Sequence, residues 1–375
     1  MSTIGRRDVL RAAGGAGALA LAGCVGEESG GGSNGSGSGG GGGSGSGGGN
    51  SGGGTTSIAV GIPSASTTTG AASNSFQRVI RNVSPNTDPA GTIQWNNQET
   101  GGDPPSLRQY DQGNVQAMTG GNFIIASAKQ GRPPFQKRAV EKIPQQAMSI
   151  TALDMHILAV EGSGIETTDD LVGANFWPLP PQWGLRQQAE TVLQNAGLWS
   201  ELQETDSIVN ADTDAVAGGI AENRIDALFA YGAGGANLAG WATEVDARAS
   251  LNLVEMTDSF KQGANSTRGT SYQEVEVYGW DNQNFQSETM DTYGADFQFW
   301  FGSGVSRDVG YELARISSEN VEAIQEGQPA YADHSEPSNM AALYLPDHPV
   351  HAGVYDFLEE NGVDLSDYTR GKLQG

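Results

Sequence analysis

Arg186 offers this chain's best grip on a small anion. Leu185, Ala189, Val192, Leu193 and Ala196 recur at helical spacing, which places Arg186 in the first turn of a helix. Unpaired backbone N–H groups at a helix start already favour an anion, and a guanidinium there adds a bidentate hold on a carboxylate. The same spacing allows a blander use, since Glu190 follows at i+4 and fits an intrahelical ion pair. Trp177 and Trp183 flank the preceding loop and offer apolar walls for a solute, with Gly184 at the loop's end. Trp177 equally continues a buried strand, and Tyr231, which closes the next strand, carries the same ambiguity.

Three further loops supply candidate ligand contacts. Each follows a stretch that reads as a strand: Ser66, Thr67 and Thr68 after Ile58, Val60 and Ile62; Gly101 and Gly102 after Ile93 and Trp95; Asn122 after Val115 to Met118. Any one of them is an ordinary turn. At one edge of a common sheet they would form a polar rim.

Catalytic sets are not visible. Beyond the Gly/Ser-rich stretch 29–57 the chain has no G-x-S-x-G elbow; it has no H-E-x-x-H and no Walker loop, and spacing nominates no Ser, His and acid as a triad. Gly302-Ser303-Gly304 lies between a strand and a helix but lacks the third glycine and the strand-ending acid of a dinucleotide site. His348 and His351 are close, yet a His-Pro-Val-His run does not fit one helix face and reads as a structural turn. No enzyme activity, metal or cofactor is expected.

The elements that must position these residues alternate. From 157 to 235 the chain reads strand, loop, helix, strand, loop, helix, strand, with Gly197 where a helix C-cap needs positive φ. Such alternation implies a parallel sheet whose ligands sit beyond the strand C-termini. A helix capped by Ser73 or Asn74 should carry Phe76, Val79, Ile80 and Val83, and Pro104 suits the first turn of the next. The run 147–160 is too long for one compact strand and is interrupted by Asp154, so it is expected to cross between lobes, with Tyr272 to Trp280 as the return. A strand over 296–301 and a long helix from Ser306 through Ile324 complete the reading.

Residues 1–57 stand apart. Arg6-Arg7 precedes an apolar stretch of about 11 residues, too short to span a membrane, that ends in Leu21-Ala22-Gly23-Cys24. The paired arginines resemble a twin-arginine signal and the cysteine run a lipobox, so Cys24, the sole cysteine, is expected to carry lipid. Gly and Ser dominate 29–57, a flexible tether of roughly 30 Å span. The net charge of −24, from 44 acids against 20 bases, is spread over the whole domain, as in a surface built for high salt. No basic patch exists to bind nucleic acid.

Several segments resemble the TAXI family of solute-binding proteins, extracytoplasmic receptors of TRAP transporters. They are Gly184-Leu185-Arg186 with Ala189-Glu190, Leu193 and Ala196-Gly197-Leu198; Asn223 to Phe229; Ser306 to Leu313; and Leu345 to Gly353. The family's Gly/Ser loop before Arg186 is replaced by Pro180-Pro181-Gln182-Trp183, and its glycine-rich first loop by Ser66-Thr67-Thr68-Thr69-Gly70. The resemblance implies an α/β, periplasmic-binding-protein-like fold: two lobes, each with a central sheet flanked by helices, joined by a two-segment hinge. It further implies capture of a small organic anion, glutamate-like or a dicarboxylate, for delivery to a TRAP-type permease. The expected organisation is a signal peptide with lipobox over 1–24, a tether over 25–57, a first lobe over 58–153, a second over 154–271, and a return to the first over 272–375. A monomeric, membrane-anchored receptor on the outer face follows. The receptor of an ABC importer is the alternative.

Overall fold

The computed structural model describes residues 54–374 apart from 66, 86–88 and 236. The signal sequence, the tether, Cys24 and Ser66 therefore lie outside the described residues. Strand β1 (Thr55–Ile62) pairs in parallel with β2 (Thr92–Glu99) on one side and β3 (Ala117–Gly121) on the other. Next in the sheet come two long strands, β10 (Thr289–Phe301) and β4 (Gln145–Val160), then β6 (Ala227–Ala233) and β5 (Phe176–Trp177). Short strands β7 (Asn237–Leu238), β8 (Leu251–Leu253) and β9 (Tyr272–Glu276) attach to β6, β4 and β10, giving ten strands. Helices flank this sheet, as the α/β reading required.

The apolar pattern explains the elements. Ile58, Val60 and Ile62 alternate into the core, each at most 2 % exposed. One core gathers Phe76, Val79, Ile80, Trp95, Phe299, Leu313 and Leu358; another gathers Ile157, Phe176, Trp177, Leu193, Phe229 and Phe260. Within the sheet, the β4–β10 pair runs from one core to the other.

Four expectations need correction. The run 147–160 is one strand, because β10 and then β8 take up one edge while β6 takes the other, leaving few backbone groups unpaired. Asp154 is tolerated inside it because Tyr278 Oη and Gln273 Nε2 donate to its carboxyl at 2.6 and 2.7 Å. The return is β10 rather than Tyr272 to Trp280; the latter contributes only β9, a hairpin partner of β10's first half. The sheet is mixed rather than parallel in the second core, since β4 runs antiparallel to β6. Finally, helix α1 (Thr68–Val83) begins five residues before Ser73, capped by Thr67, whose Oγ1 accepts from Gly70 N at 3.1 Å.

Helix α2 (Asp103–Asp111) takes Pro104 in its first turn, as expected. Helix α3 (Asn122–Lys129) follows β3 with no loop, so Gly120 and Gly121 belong to the strand. Helix α4 (Gly184–Asn195) ends before Gly197, which does adopt φ +86°. The helix expected from Ser306 to Ile324 breaks at Asn320, into Arg307–Glu319 and Val321–Gln325. No helix among the described residues is long and apolar enough to cross a membrane.

Candidate functional site

A cavity opens where helices from both cores converge. Its lining comes from the start of α1 (Thr67, Thr68, Thr69), the start of α2 (Gly102, Asp103), the start of α4 (Trp183, Gly184, Leu185), and the strands (Leu153, Tyr231, Phe297), with Pro63 at one end. Its interior volume is about 40 Å³, room for a compact solute or a few waters. The two cores touch closely around it. A Cβ on Gly102, whose φ is +149°, would lie 3.2 Å from Gln182 O; one on Gly184 would lie 2.9 Å from Asp103 Oδ2 and 3.0 Å from Ile124 Cγ1. Glycine at both positions lets the two sides of the cavity approach this closely.

Among the described residues Asp103 is the charged group of this cavity, and no lysine, arginine or histidine lines it. The residue is 5 % exposed. Its Oδ2 accepts from the N–H of Gly121, the residue capping α3, at 3.2 Å, and no other described group hydrogen-bonds the carboxyl. Burial pushes the carboxyl up to about 7, against the opposing pull of the Gly121 N–H. Aromatic rings share the lining: Trp183 and Tyr231 have ring centroids 6.5 Å apart, and Tyr231 packs on Trp241 at 5.9 Å. Burial also raises the Tyr231 hydroxyl to about 12, with the Asp103 charge adding to the shift.

Of the residues singled out from sequence, Thr67, Thr68, Gly102, Trp183, Gly184 and Tyr231 meet in this cavity. Gly101 stands beside it without lining it. Asn122 is buried in a structural bridge, its Oδ1 accepting from Gln298 Nε2 at 2.6 Å and its Nδ2 donating to Leu343 O at 2.7 Å. Trp177 is core: it is fully buried, donates from Nε1 to Ala211 O at 2.9 Å and stacks edge-on against Trp241. Arg186 takes its blander role. Its guanidinium turns away from the cavity, donating to Glu190 Oε1 at 2.7 Å, Leu179 O at 2.8 Å and Asn210 Oδ1 at 3.3 Å, and lies over the Trp199 ring at 5.6 Å.

Asp103 was missed in the sequence. An acid beside Pro104 at a helix start reads as ordinary first-turn charge, and only the packing of α4 over it reveals its burial. His348 and His351 are structural, as expected. Their Nε2 atoms donate to Pro144 O at 2.7 Å and Val305 O at 3.0 Å, and burial lowers both rings to about 4. Among the described residues no group of three or more His, Cys, Asp or Glu is placed to hold a metal ion.

Comparison with solved structures finds distant similarity to extracytoplasmic binding proteins. The alkanesulfonate-binding protein SsuA from Xanthomonas axonopodis pv. citri, bound to MOPS, is 11% identical, with 81% of this chain and 83% of that one covered and a TM-score of 0.37. DctP6 of Bordetella pertussis, an extracytoplasmic solute receptor binding pyroglutamic acid, is 11% identical over 85% of this chain and 88% of its own, at a TM-score of 0.40. A TRAP periplasmic solute-binding protein from Anaerococcus prevotii, with bound glucuronate, is 11% identical over 82% and 86%, at 0.38. No curated protein matches the chain. Residues 67–362 match the NMT1-like family, a span that takes in most of both cores and of the cavity lining, and the chain belongs to that family.

Proposed function

We propose that this chain is an extracytoplasmic solute-binding receptor of the TAXI kind. It captures a small carboxylate-bearing solute by closing two lobes on it and delivers the solute to a TRAP-type permease. The observation that carries this reading is the cavity between the two cores, onto which α1, α2 and α4 all direct their N-termini. First-turn N–H groups have no partner within their own helix and favour an anionic oxygen. Thr68 and Thr69 at the start of α1, with Gly184 and Leu185 at the start of α4, supply such groups from both cores. The β4–β10 pair is the natural hinge, being the connection in the sheet between the cores. Cys24 and the Gly/Ser tether would hold the receptor at the outer face of the membrane.

Calorimetric titration of the mature chain with small carboxylic acids and amino acids tests the reading. Micromolar binding of one of them, weakened at least tenfold by Trp183→Ala, is the expected result. Absence of binding across the set, or binding indifferent to Trp183, removes the cavity as the receptor site.

A further inference from the structure

Beside the cavity the two cores meet again, this time through charge. Residues 267–270 follow the helix Asp258–Ser266, whose Phe260 and Ala264 lie in the second core. Asn195 Nδ2 fixes this loop to that core by donating to Thr267 Oγ1 at 2.8 Å. From there the loop reaches the start of α3. Gly269 adopts φ +83°, and a Cβ on it would lie 3.4 Å from Phe123 N and 3.6 Å from Asn122 Cβ. These two residues directly follow Gly121, whose N–H holds Asp103 in the cavity. The neighbouring Arg268 donates from Nη2 to Asp347 Oδ1 and forms an ion pair with it. Asp347 belongs to the other side, where Val350, three residues on, lies in the first core. Gln146 Nε2 secures that segment, donating to Leu345 O at 3.1 Å and His348 O at 2.8 Å. Lys129, in the last turn of α3, adds a second cation: its Nζ is 3.7 Å from Asp347 Oδ2 and donates to Asp347 O at 2.9 Å.

Two cations on one carboxylate are a concentrated use of positive charge in a chain with 44 acids and 20 bases. Ion pairs such as Arg186–Glu190 and Arg307–Asp356 lie within one core, whereas Arg268–Asp347 crosses between them. Hydrogen bonding from Arg268, with the Lys129 charge in support, holds the Asp347 carboxyl below its usual range, so the contact stays charged at neutral pH. Arg268 and Asp347 are 42 % and 54 % exposed, so the pair adds little against unfolding. Two folded states that differ in the separation of the cores respond differently. A contact present in one and absent in the other shifts their populations by its whole energy. We infer that Arg268, Asp347 and Lys129 form an ionic latch that holds the two cores together over the cavity. This rests on the receptor reading and adds to it a contact, remote from the solute, that sets how firmly the closed form is held.

Arg268→Ala and Asp347→Ala test the latch, alone and together, in the mature chain. The two change the net charge in opposite directions, so a shared effect belongs to the contact and not to overall charge. Glutamate and glutarate are titrated calorimetrically into each protein at 0.1 M and 1 M potassium chloride, with urea unfolding as the control for folding. At 0.1 M each variant should bind the better probe at least about twofold more weakly than wild type, with an unchanged unfolding midpoint. The double variant should be no weaker than the weaker single one, because all three remove the same contact. At 1 M, where charges are screened within about 3 Å, the gap should fall below twofold. Affinities within twofold of wild type at 0.1 M, substitutions acting in opposite directions, or a gap that persists at 1 M each overturn the latch and leave the receptor reading intact. A loss of affinity matched by a lower unfolding midpoint makes the pair structural and also overturns it. If neither probe binds wild type, the failure belongs to the receptor reading, and small-angle scattering at 0.1 M decides the latch. Variants more extended than wild type would then support it, and variants equally compact would overturn it.

Discussion

Arg186 Nε donates to Glu190 Oε1 at 2.7 Å, four residues along the same helix, and this pair turns the guanidinium away from the cavity that the helix opens onto. The arginine is 4 % exposed while its partner is 30 % exposed on the side-chain scale, so the pair is anchored at the arginine end. Its third role is local. Nη1 holds the carbonyl of Leu179, a residue forced to φ +78°, where a branched side chain is strained.

From this geometry Arg186→Ala should cost stability rather than affinity. It leaves Leu179 O without its donor and removes packing over Trp199, a loss of about 2 kcal/mol. The midpoint of urea unfolding should fall while the affinity for the best probe stays within threefold of wild type. A variant that unfolds as wild type does but binds tenfold more weakly would return Arg186 to the ligand.

That reversal shows where sequence is informative and where it stops. The alternation of Ile58, Val60 and Ile62, the helix over 184–195 and the positive φ of Gly197 were all legible, because each depends on neighbours a few residues away. The candidate loops at the strand ends were legible for the same reason, and Thr67, Thr68, Gly102, Trp183, Gly184 and Tyr231 do converge. Which way a side chain turns is another matter. Arg186 had two partners compatible with its spacing, and only the position of Leu179 O decided between them. Asp103 became a buried acid through α4 packing 81 residues downstream, a contact with no local signature. The long strand β4 looked too long because its two edges are paired by segments more than 60 residues away.

The buried acid predicts a pH dependence of stability. The Asp103 carboxyl titrates near 7 in the folded protein against 3.8 unfolded. Between these values the folded state keeps a proton that the unfolded chain has lost, so this contribution to stability is complete below pH 3.8 and is lost as pH rises toward 7. Asp103→Asn, which never ionises, should therefore gain on wild type with rising pH, by up to roughly 4 kcal/mol between pH 4 and pH 8. Asp154, which burial raises to about 6, is common to both proteins and cancels. Melting curves of the pair across this range give the check; a constant difference would mean that Asp103 is ionised throughout.

The same group sets a pH dependence for binding. The groups facing Asp103 are the Gly121 N–H at the start of α3, the Gly184 end of α4 and the Tyr231 ring, whose hydroxyl stays neutral below about 12. Asp103 is thus the titrating partner there. A solute carboxylate brought into the cavity favours the protonated form of Asp103, so its affinity should fall as pH rises above 7, approaching tenfold per unit at the alkaline end. Calorimetry at pH 6, 7, 8 and 9 would show it, and an affinity that is flat or rises toward alkali contradicts a protonated Asp103 in the complex.

Charge on the whole molecule predicts a salt response. With 44 acids and 20 bases, many carboxylates have no basic partner to neutralise them. The ion pairs present, such as Arg307 and Arg370 on Asp356, are largely exposed on the arginine side and individually weak. Self-repulsion among the surplus acids acts over about 10 Å at 0.1 M salt and about 3 Å at 1 M. The melting temperature should therefore climb steadily from dilute buffer to molar potassium chloride. A flat or falling curve would mean that the acids are locally compensated and that the surface is not adapted to salt.

Gly184→Ala tests lobe closure itself. Alanine is at least as good as glycine at the first position of a helix, so α4 should form normally and the isolated second core should be undisturbed. The added methyl, however, points at the other core. It would come within 2.9 Å of Asp103 Oδ2 and 3.0 Å of Ile124 Cγ1, and neither can retreat freely, since Asp103 is held by Gly121 N–H and Ile124 is 1 % exposed. The two sides of the cavity must part slightly to admit it, which loosens the enclosure between them. Affinity should drop about tenfold, equivalent to roughly 1.4 kcal/mol, with little change in the unfolding transition. Small-angle scattering with saturating probe should also show the variant more extended than wild type. Should Gly184→Ala bind as tightly as wild type and compact equally, the contact between α4 and Asp103 is not part of closure.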